Sequence, residues 1–333
     1  MSGLPRRPKG RPSAAVNAKY VEEVEAFCAR ILQIKSRLDF EVGARGWCYL
    51  IEGEHIITKG EFDEAERLIT RCRKDGNLPL DICAEDNKRA ADGIERFDDP
   101  DIDAEAAWAV DYVNNAHRNY TPISFWDELD VYVETAVEKS DLKSLFARVT
   151  QEFHMVIQNI GGWADVNVRA GMMRRFQKWE AEGKRCVLLY CGDHDPGGLQ
   201  ISEFLRANLE ELETAVGWSP RHLVIDRFGL DYDFIEANAL TWIDNLETSS
   251  GGDLADPRHP DHRKDYVQSY LKRFGARKVE ANALVARPEA GRQLCREAIL
   301  RWVPEDAIAN YASRLADVRE ELRQAVAQKL AGG

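Results

Sequence analysis

The sequence predicts an α/β protein in which a mainly helical N-terminal part precedes a parallel β-sheet covered by helices. Short apolar strands alternate with amphipathic helices over residues 131–228, which is typical of a parallel sheet. Before them, residues 20–76 show apolar side chains at helical spacing. With 333 residues the chain is long enough for two domains.

Three helices are predicted in the N-terminal part. The first covers residues 20–38, the second lies in "EVGARGWCYLIEG", and the third lies in "TKGEFDEAERLITRCRKDG" and ends at Gly76. With the apolar piece "LPLDIC" they suggest a helix-turn-helix or winged-helix module over residues 20–97. In such a module the third helix contacts DNA, through the basic residues near its end: Arg67, Arg71, Arg73 and Lys74. A small helical domain with a solvated basic face fits the same pattern.

The flanking segments are predicted from composition. Residues 1–19 hold five basic residues and no acidic one, together with Pro, Gly and Ser. We therefore expect a disordered basic arm that could lie along phosphates. The acidic, proline-bearing stretch 98–105 marks a boundary, and we interpret residues 98–120 as an acidic linker region before a domain of residues 121–333.

Strands in the C-terminal part are predicted at residues 131–138, 154–159, 185–191 and 221–228. Three acidic residues lie where these strands end: Glu138 after the first strand, and Asp193 and Asp195 after the third. The carboxyl ends of parallel strands meet at one edge of a sheet, where function gathers. Carboxylates this close repel each other, and Mg²⁺, which favours oxygen ligands, removes that penalty.

The order of these acids is informative because an isolated Asp-x-Asp is common at strand ends and helix caps. Glu138 at a first strand end, followed by Asp-x-Asp after a later strand, resembles the signature of Toprim domains. The form "DHDPGG" is most similar to topoisomerase VI A subunits and the related meiotic double-strand-break proteins. The segments "RFGLDYDFIEANAL" and "DHRKDYVQSYLKRFGARKVEANAL", and a helix from Arg287, follow the order of that family's C-terminal half.

The resemblance implies a winged-helix domain followed by a Toprim domain with a Rossmann-like parallel sheet and a C-terminal helical extension. Glu138, Asp193 and Asp195 would bind Mg²⁺, with Glu138 also counted among the catalytic residues. Glu280 and Asn282 in "VEANAL" match a family element near the sheet, where they would support the metal ligands or serve a structural role.

The same resemblance implies a tyrosine nucleophile. That family cuts DNA with a Tyr that follows an Arg by four residues, and "ARGWCY" places Arg45 four residues before Tyr49. The family usually has Asp after the Arg and an aromatic residue before the Tyr, whereas this chain has Gly46 and Cys48. Arg45 could supply the positive charge that a tyrosine needs in order to attack at neutral pH. The alternative is that Tyr49 packs in the core.

The implied function is Mg²⁺-dependent breakage of double-stranded DNA with a transient tyrosyl–DNA phosphodiester. Cutting both strands requires two tyrosines and hence a homodimer; in the family, the Tyr of one protomer works with the metal of the other. The sequence has no GxxxxGK[ST] motif, so strand passage would need a separate ATPase subunit. Two alternatives stay open: a Toprim nuclease that activates water, for defence or mobile-element DNA processing, and a non-catalytic DNA-binding module.

Composition limits the other classes of function. No apolar run approaches the roughly 20 residues that cross a bilayer, and no apolar signal segment begins the sequence, so we expect a cytoplasmic protein. Seven scattered cysteines without a CxxC pair predict reduced, mostly buried thiols and no structural zinc site. His259 and His262 in "RHPDHR" fit a polar loop. The net charge of −12 argues against indiscriminate coating of nucleic acid.

Overall fold

The computed structural model describes residues 3–8, 10–84, 101–161, 165–248 and 251–331. Its N-terminal part consists of helices α1 (Ala14–Lys35), α2 (Ala44–Gly53) and α3 (Phe62–Lys74), with short 3₁₀ turns at Lys59–Glu61 and Leu80–Ile82. The three predicted helices are therefore confirmed. No strand occurs between residues 10 and 84, so the wing of a winged helix is not seen in this described range.

The N-terminal arm differs from the prediction. Residues 14–19 belong to α1, because the Ser13 side chain accepts a hydrogen bond from the backbone N–H of Val16 and caps the helix there. Leu4 is buried in the core, and the N–H of Gly3 donates to the carbonyl of Ile56. The expectation of a disordered arm over residues 1–19 is thus wrong for these parts, since a helix cap and an apolar anchor outweigh the composition.

Most of the predicted linker region is helical. Helix α4 (Ile102–Asn119) begins at Asp101, whose carboxylate caps it, and none of its residues is buried. Trp108 and Tyr112 stack on its exposed surface. Residues 85–100, including the start of the predicted linker and the end of the predicted first domain, lie outside the described residues.

The C-terminal part contains a four-stranded parallel sheet, which confirms the α/β prediction. Its strand order is β2-β1-β3-β4. The central strand β1 is buried along its whole length, so its apolar and β-branched side chains meet helices on both faces. The strands are β1 (Val131–Val137), β2 (Val156–Asn159), β3 (Arg185–Cys191) and β4 (Val224–Arg227).

Helices connect the strands and extend the chain beyond the sheet. Between strands lie α5 (Ser140–Glu152), α6 (Val166–Ala181), α7 (Pro196–Leu199), α8 (Ile201–Glu210) and α9 (Glu213–Val216). After β4 come α10 (Tyr232–Ala237), α11 (Asp265–Phe274), the 3₁₀ segment Ala281–Ala286, α12 (Pro288–Leu300) and α13 (Ala307–Ala331). α12 confirms the helix predicted from Arg287 onward.

One apolar cluster runs from Leu4 to Leu315 and joins the N-terminal helices to the sheet. Helix α2 packs against the segment Ala281–Ala286, which brings the first 60 residues next to the C-terminal part of the chain. All seven cysteines are free and buried, as predicted. In the described ranges, no helix is both long and apolar enough to span a membrane.

Candidate metal and nucleophile site

The three predicted acids meet at the carboxyl edge of the sheet. Val137 at the end of β1 pairs with Cys191 at the end of β3, and the N–H of Glu138 donates to the carbonyl of Cys191 at 3.1 Å. Two residues after Cys191, the N–H of Asp193 donates to Oε2 of Glu138 at 3.1 Å. Glu138, Asp193 and Asp195 line the same cleft of about 750 Å³. The three acids therefore line one cleft, as strand order predicted, but they are not grouped around one metal position.

The loop after β3 holds the aspartates by backbone contacts. Oδ1 of Asp195 accepts a hydrogen bond from the N–H of Gly198 at 2.6 Å, and Oδ1 of Asp193 accepts one from Ala281 at 2.7 Å. A Cβ on Gly198 would lie 2.1 Å from the carbonyl oxygen of Asp193. The turn therefore requires glycine at position 198, which explains one of the two glycines in "DHDPGG".

A lysine that the sequence reasoning missed lies among the acids. The ammonium group of Lys139 is 2.8 Å from Oε1 of Glu138 and 3.0 Å from Oδ2 of Asp193, so it bridges the two carboxylates. The only sequence signal for it is its place directly after Glu138 in "VEKSDL". The cleft thus has a cation position, and Lys139 occupies it.

The protonation of these groups follows from burial and from Lys139. Burial, and then the charge of Glu138, raises the pKa of Asp193 to about 7. Burial also raises the pKa of Asp195. For Glu138 the effect of burial is outweighed by the Lys139 ammonium, which leaves the pKa below its ordinary value. Burial likewise opposes the charge of Lys139, but Asp193 and Glu138 together raise its pKa.

The donor chemistry of this cleft fits a Mg²⁺ ion, because three carboxylates supply hard oxygen ligands and the site already stabilises a positive charge. The side-chain arrangement is not that of a formed metal site. Across the described ranges, no three His, Cys, Asp or Glu side chains are grouped closely enough to hold an ion. Binding of a metal by Glu138, Asp193 and Asp195 therefore requires the three carboxylates to come closer together and the Lys139 ammonium, which bridges two of them, to move.

Tyr49 lies on α2 and does not line this cleft itself, but it contacts two residues that do, Lys59 and Glu280. The residue is only 1% exposed, and its ring packs edge-on against Phe62 at 4.9 Å between centroids. Its hydroxyl donates a hydrogen bond of 2.5 Å to Oε2 of Glu280 and accepts one from the ammonium of Lys59. Tyr49 thus packs in the core and also contacts residues of the cleft. The two alternatives from the sequence, a nucleophile and a core residue, therefore do not exclude each other.

Lys59, which sequence reasoning also missed, connects Tyr49 with the acidic cleft. Its ammonium lies 3.9 Å from the centroid of the Tyr49 ring and 4.3 Å from that of Phe62, a cation–π arrangement. It lies 3.9 Å from Oε2 of Glu280, and both residues line the cleft. Burial lowers the pKa of Lys59 to about 8.

Arg45 points toward the same carboxylate but also toward solvent. Its Nε lies 4.0 Å from Oε2 of Glu280, and its Nη1 lies 3.6 Å from Asp63 and 3.4 Å from Glu66. The Arg45 guanidinium stacks over the Phe62 ring at 5.0 Å. The predicted Arg–Tyr pair therefore meets through Glu280, without a direct hydrogen bond between the two side chains among the described contacts.

The start of α2 is anchored by a residue outside every predicted motif. Asp141, which is buried on α5, accepts a hydrogen bond from the N–H of Gly43 at 2.7 Å. A Cβ on Gly46 would lie 2.6 Å from Oδ2 of Asp141. The carboxylate of Asp141 therefore occupies the space that a side chain at position 46 would need. This contact also ties the helix of Tyr49 to the helix that follows Glu138.

The remaining predicted site residues lie elsewhere. On α3, Arg67 and Lys74 are exposed, whereas Arg71 bonds the hydroxyl of Tyr20 at 2.9 Å and Arg73 bonds the carbonyl of Leu80 at 3.0 Å. None of these four lines the acidic cleft. Asn282 is 7% exposed, and its Oδ1 accepts no hydrogen bond from the described residues.

The predicted polar loop is also seen. His262 bonds the carbonyl of Leu254 through Nδ1 at 2.8 Å, and Nδ1 of His259 accepts from the N–H of Asp261 at 3.1 Å. Each histidine thus engages the backbone of its own loop, which supports the interpretation as a polar loop.

Comparisons with known proteins identify no relative whose site could be compared with this one. The chain matches no family model, no curated protein and no solved structure. The functional interpretation therefore depends on the residues and contacts described above.

Proposed function

We propose that this chain breaks the phosphodiester backbone of double-stranded DNA in the acidic cleft, with Mg²⁺ as cofactor. The observation that carries the proposal is the convergence of Glu138, Asp193 and Asp195 on one cleft that basic side chains also line. The cations are Arg45, Lys59, Lys139 and Lys278. Carboxylates suit the metal, and the cations suit the phosphate that it would engage. The assignment of the two parts as winged-helix and Toprim domains belongs to this proposal.

In this function the bound metal would supply Lewis acidity and charge neutralisation at the scissile phosphate. Glu138, Asp193 and Asp195 would hold it. Arg45 and Lys59 would orient the phosphate and balance the charge that develops on it. Arg67 and Lys74 on α3, together with the exposed Arg6 and Arg7, would contact the backbone of the flanking duplex.

Tyr49 is the proposed attacking group. Its hydroxyl lies against Glu280 and Lys59, which both line the cleft, so a bound phosphate would have to reach the hydroxyl beside these two side chains. Attack forms a tyrosyl–DNA bond and conserves the energy of the phosphodiester for rejoining. A homodimer would cut both strands, and a separate ATPase subunit would be required for strand passage.

A second candidate is a nuclease that activates water. The burial of Tyr49 favours it, because a side chain that is 1% exposed must be uncovered before it can reach DNA, whereas water reaches the acids directly. In this candidate Tyr49 serves packing, and Lys59 and Arg45 bind phosphate only.

One cleavage assay tests the proposal and separates the candidates. Supercoiled plasmid is incubated with Mg²⁺ and the protein, stopped with denaturant, and analysed with and without protease. We expect nicked or linear DNA bound to protein for wild type, no cleavage for Asp195→Asn, and no adduct for Tyr49→Phe. Matched controls are Asp261→Asn, an acid that lines the same cleft, and Tyr20→Phe on α1.

Each outcome of that assay has a defined meaning. Cleavage by Tyr49→Phe without a protein-linked end supports the water nuclease. Wild-type protein that binds DNA but produces no Asp195-dependent cleavage would leave a non-catalytic DNA-binding module and overturn both enzymatic candidates.

A further inference from the structure

We propose that Glu280 accepts the proton of Tyr49 as this hydroxyl attacks the phosphate, and that Lys59 stabilises the phenolate charge that develops. This inference rests on the proposed function with Tyr49 as the nucleophile. It assigns a catalytic role to two residues, one of them absent from every predicted motif.

The direction of the hydrogen bonds distinguishes the two partners of Tyr49. The hydroxyl has one proton, and the carboxylate of Glu280 has no proton to donate when ionised, so Tyr49 donates to Oε2 of Glu280. Lys59 in its ammonium form can only donate, and it donates to the Tyr49 oxygen. The proton to be lost therefore already points at Glu280, and the cation already faces the oxygen that will carry the charge.

Glu280 is held firmly beside the acidic cleft. Val279 and His194 exchange two backbone hydrogen bonds, of 2.8 and 3.1 Å, and the N–H of Ala281 donates to Asp193. The segment that carries Glu280 is thus paired with the loop that carries both aspartates. A proton acceptor needs this kind of fixed position, because the transfer depends on a short and aligned hydrogen bond.

The charges around Tyr49 are consistent with this role. Burial would raise the pKa of Glu280, but the Tyr49 hydrogen bond and Lys59 outweigh it, so the carboxyl is ionised at neutral pH. Burial and the nearby Glu280 charge raise the pKa of Tyr49, so the free phenolate is not populated. The hydroxyl must therefore lose its proton during the attack, to a base that is already in contact with it.

The attack of Tyr49 on the phosphate balances in atoms and charge, with water as the only additional reactant. A bond forms between the Tyr49 oxygen and phosphorus, the bond from phosphorus to the leaving sugar oxygen breaks, and the Tyr49 proton moves to Glu280. The leaving oxygen takes a proton from water, and the hydroxide formed removes the proton from Glu280. Rejoining of the DNA reverses each of these transfers.

The experiment measures the rate of covalent adduct formation from pH 6 to 9 for wild type and Glu280→Gln. Glutamine keeps an acceptor oxygen for the Tyr49 hydroxyl but cannot take up its proton. We expect adduct formation to be slower by about 10²–10⁴-fold at pH 7, the usual contribution of a general base. We also expect the ratio of the variant rate to the wild-type rate to rise about tenfold per pH unit, because hydroxide replaces Glu280 in the variant. Asp193 and Lys59, with pKa values of about 7 and about 8, titrate in both proteins, so their effect cancels in this ratio.

Two further variants separate a catalytic from a structural role. Glu280→Asp keeps a carboxylate and should regain the wild-type pH profile at a reduced rate. Glu247→Gln removes a carboxylate that lines the same cleft and should leave both rate and profile unchanged. Thermal unfolding of each variant confirms that the fold is retained.

The failures of this inference and of the proposed function are distinguishable. Wild-type protein that forms no adduct removes the proposed function, and with it this inference. Wild-type adduct formation together with a Glu280→Gln variant that keeps the wild-type rate or the wild-type pH profile overturns the role of Glu280 alone.

Discussion

The hydroxyl of Tyr49 is hydrogen-bonded to the carboxylate of Glu280, which lies 231 residues further along the same chain. The next residue after Glu280, Ala281, donates its backbone N–H to Asp193. A single chain thus links the candidate nucleophile to one candidate metal ligand, Asp193, through the neighbouring residues Glu280 and Ala281. The resemblance seen in the sequence implied a site completed from two protomers, and the link from Tyr49 through Glu280 favours completion within one.

The first prediction follows from this contact. Chains carrying Tyr49→Phe and chains carrying Asp195→Asn should not regain adduct formation when co-expressed and purified through two different tags, because neither chain has an intact site. A site shared between protomers would instead give each mixed dimer one complete site. The doubly tagged sample contains only mixed dimers, so about half of the wild-type sites would then be restored. Protein-linked DNA from the doubly tagged sample would contradict the prediction.

The second prediction concerns the lysine in the cation position. Lys139→Met removes the ammonium that bridges Glu138 and Asp193, so Mg²⁺ no longer competes with it. We expect Mg²⁺ to bind about tenfold more tightly, which corresponds to about 1.4 kcal/mol, as measured by calorimetry. The control Lys278→Met removes another cation that lines the cleft. Equal or weaker Mg²⁺ binding by Lys139→Met would show that the ammonium and the metal do not share a position.

The elements that the sequence predicted well are those with a local signal. Apolar periodicity located the strands and most helices, and the acids at two strand ends met because parallel strands in register share an edge. The start of α1 was missed, since the Pro- and Gly-rich composition of residues 1–12 hid the Ser13 cap.

The contacts that complete the site were beyond sequence reasoning for a physical reason. Asp141 acts on Gly43 across 98 residues, and Glu280 on Tyr49 across 231, so no spacing rule connects them. Lys59 lies in the short 3₁₀ turn before α3, where the sequence predicts only the start of a helix and no site residue. These interactions are consequences of how α2 packs on the sheet edge, and they become visible only once the tertiary structure is known.

The third prediction concerns the turn that carries the aspartates. Gly198→Ala places a Cβ 2.1 Å from the carbonyl oxygen of Asp193. Because this oxygen belongs to the backbone, relieving the clash requires the loop itself to shift. We expect a loss of about 1–3 kcal/mol in the free energy of unfolding and weaker Mg²⁺ binding, because the loop must shift. Gly197→Ala is the matched control, since its nearest contact would be 3.5 Å from Oδ1 of Asp195. Equal stability of the two variants in denaturant unfolding would refute this account of the turn.

The fourth prediction is a pH dependence of stability that arises from Lys59. Burial lowers its pKa from about 10.5 in the unfolded chain to about 8 in the fold. Between pH 8 and 10.5 the unfolded chain binds more protons at this residue, so its contribution to stability increases with pH in that window. Below pH 8 the cost of burying the charge is fully present.

Lys59→Met removes this titration and supplies the test. The free energy of unfolding of wild type minus that of the variant should rise by up to about 3 kcal/mol between pH 8 and 10.5, since one pKa unit corresponds to about 1.4 kcal/mol. Denaturant unfolding at a series of pH values measures it, with Lys74→Met, on the exposed end of α3, as the background. If the difference in free energy of unfolding stays constant over this range, burial does not lower the pKa of Lys59 in the fold. That result would contradict the electrostatic role assigned to Lys59 beside Tyr49.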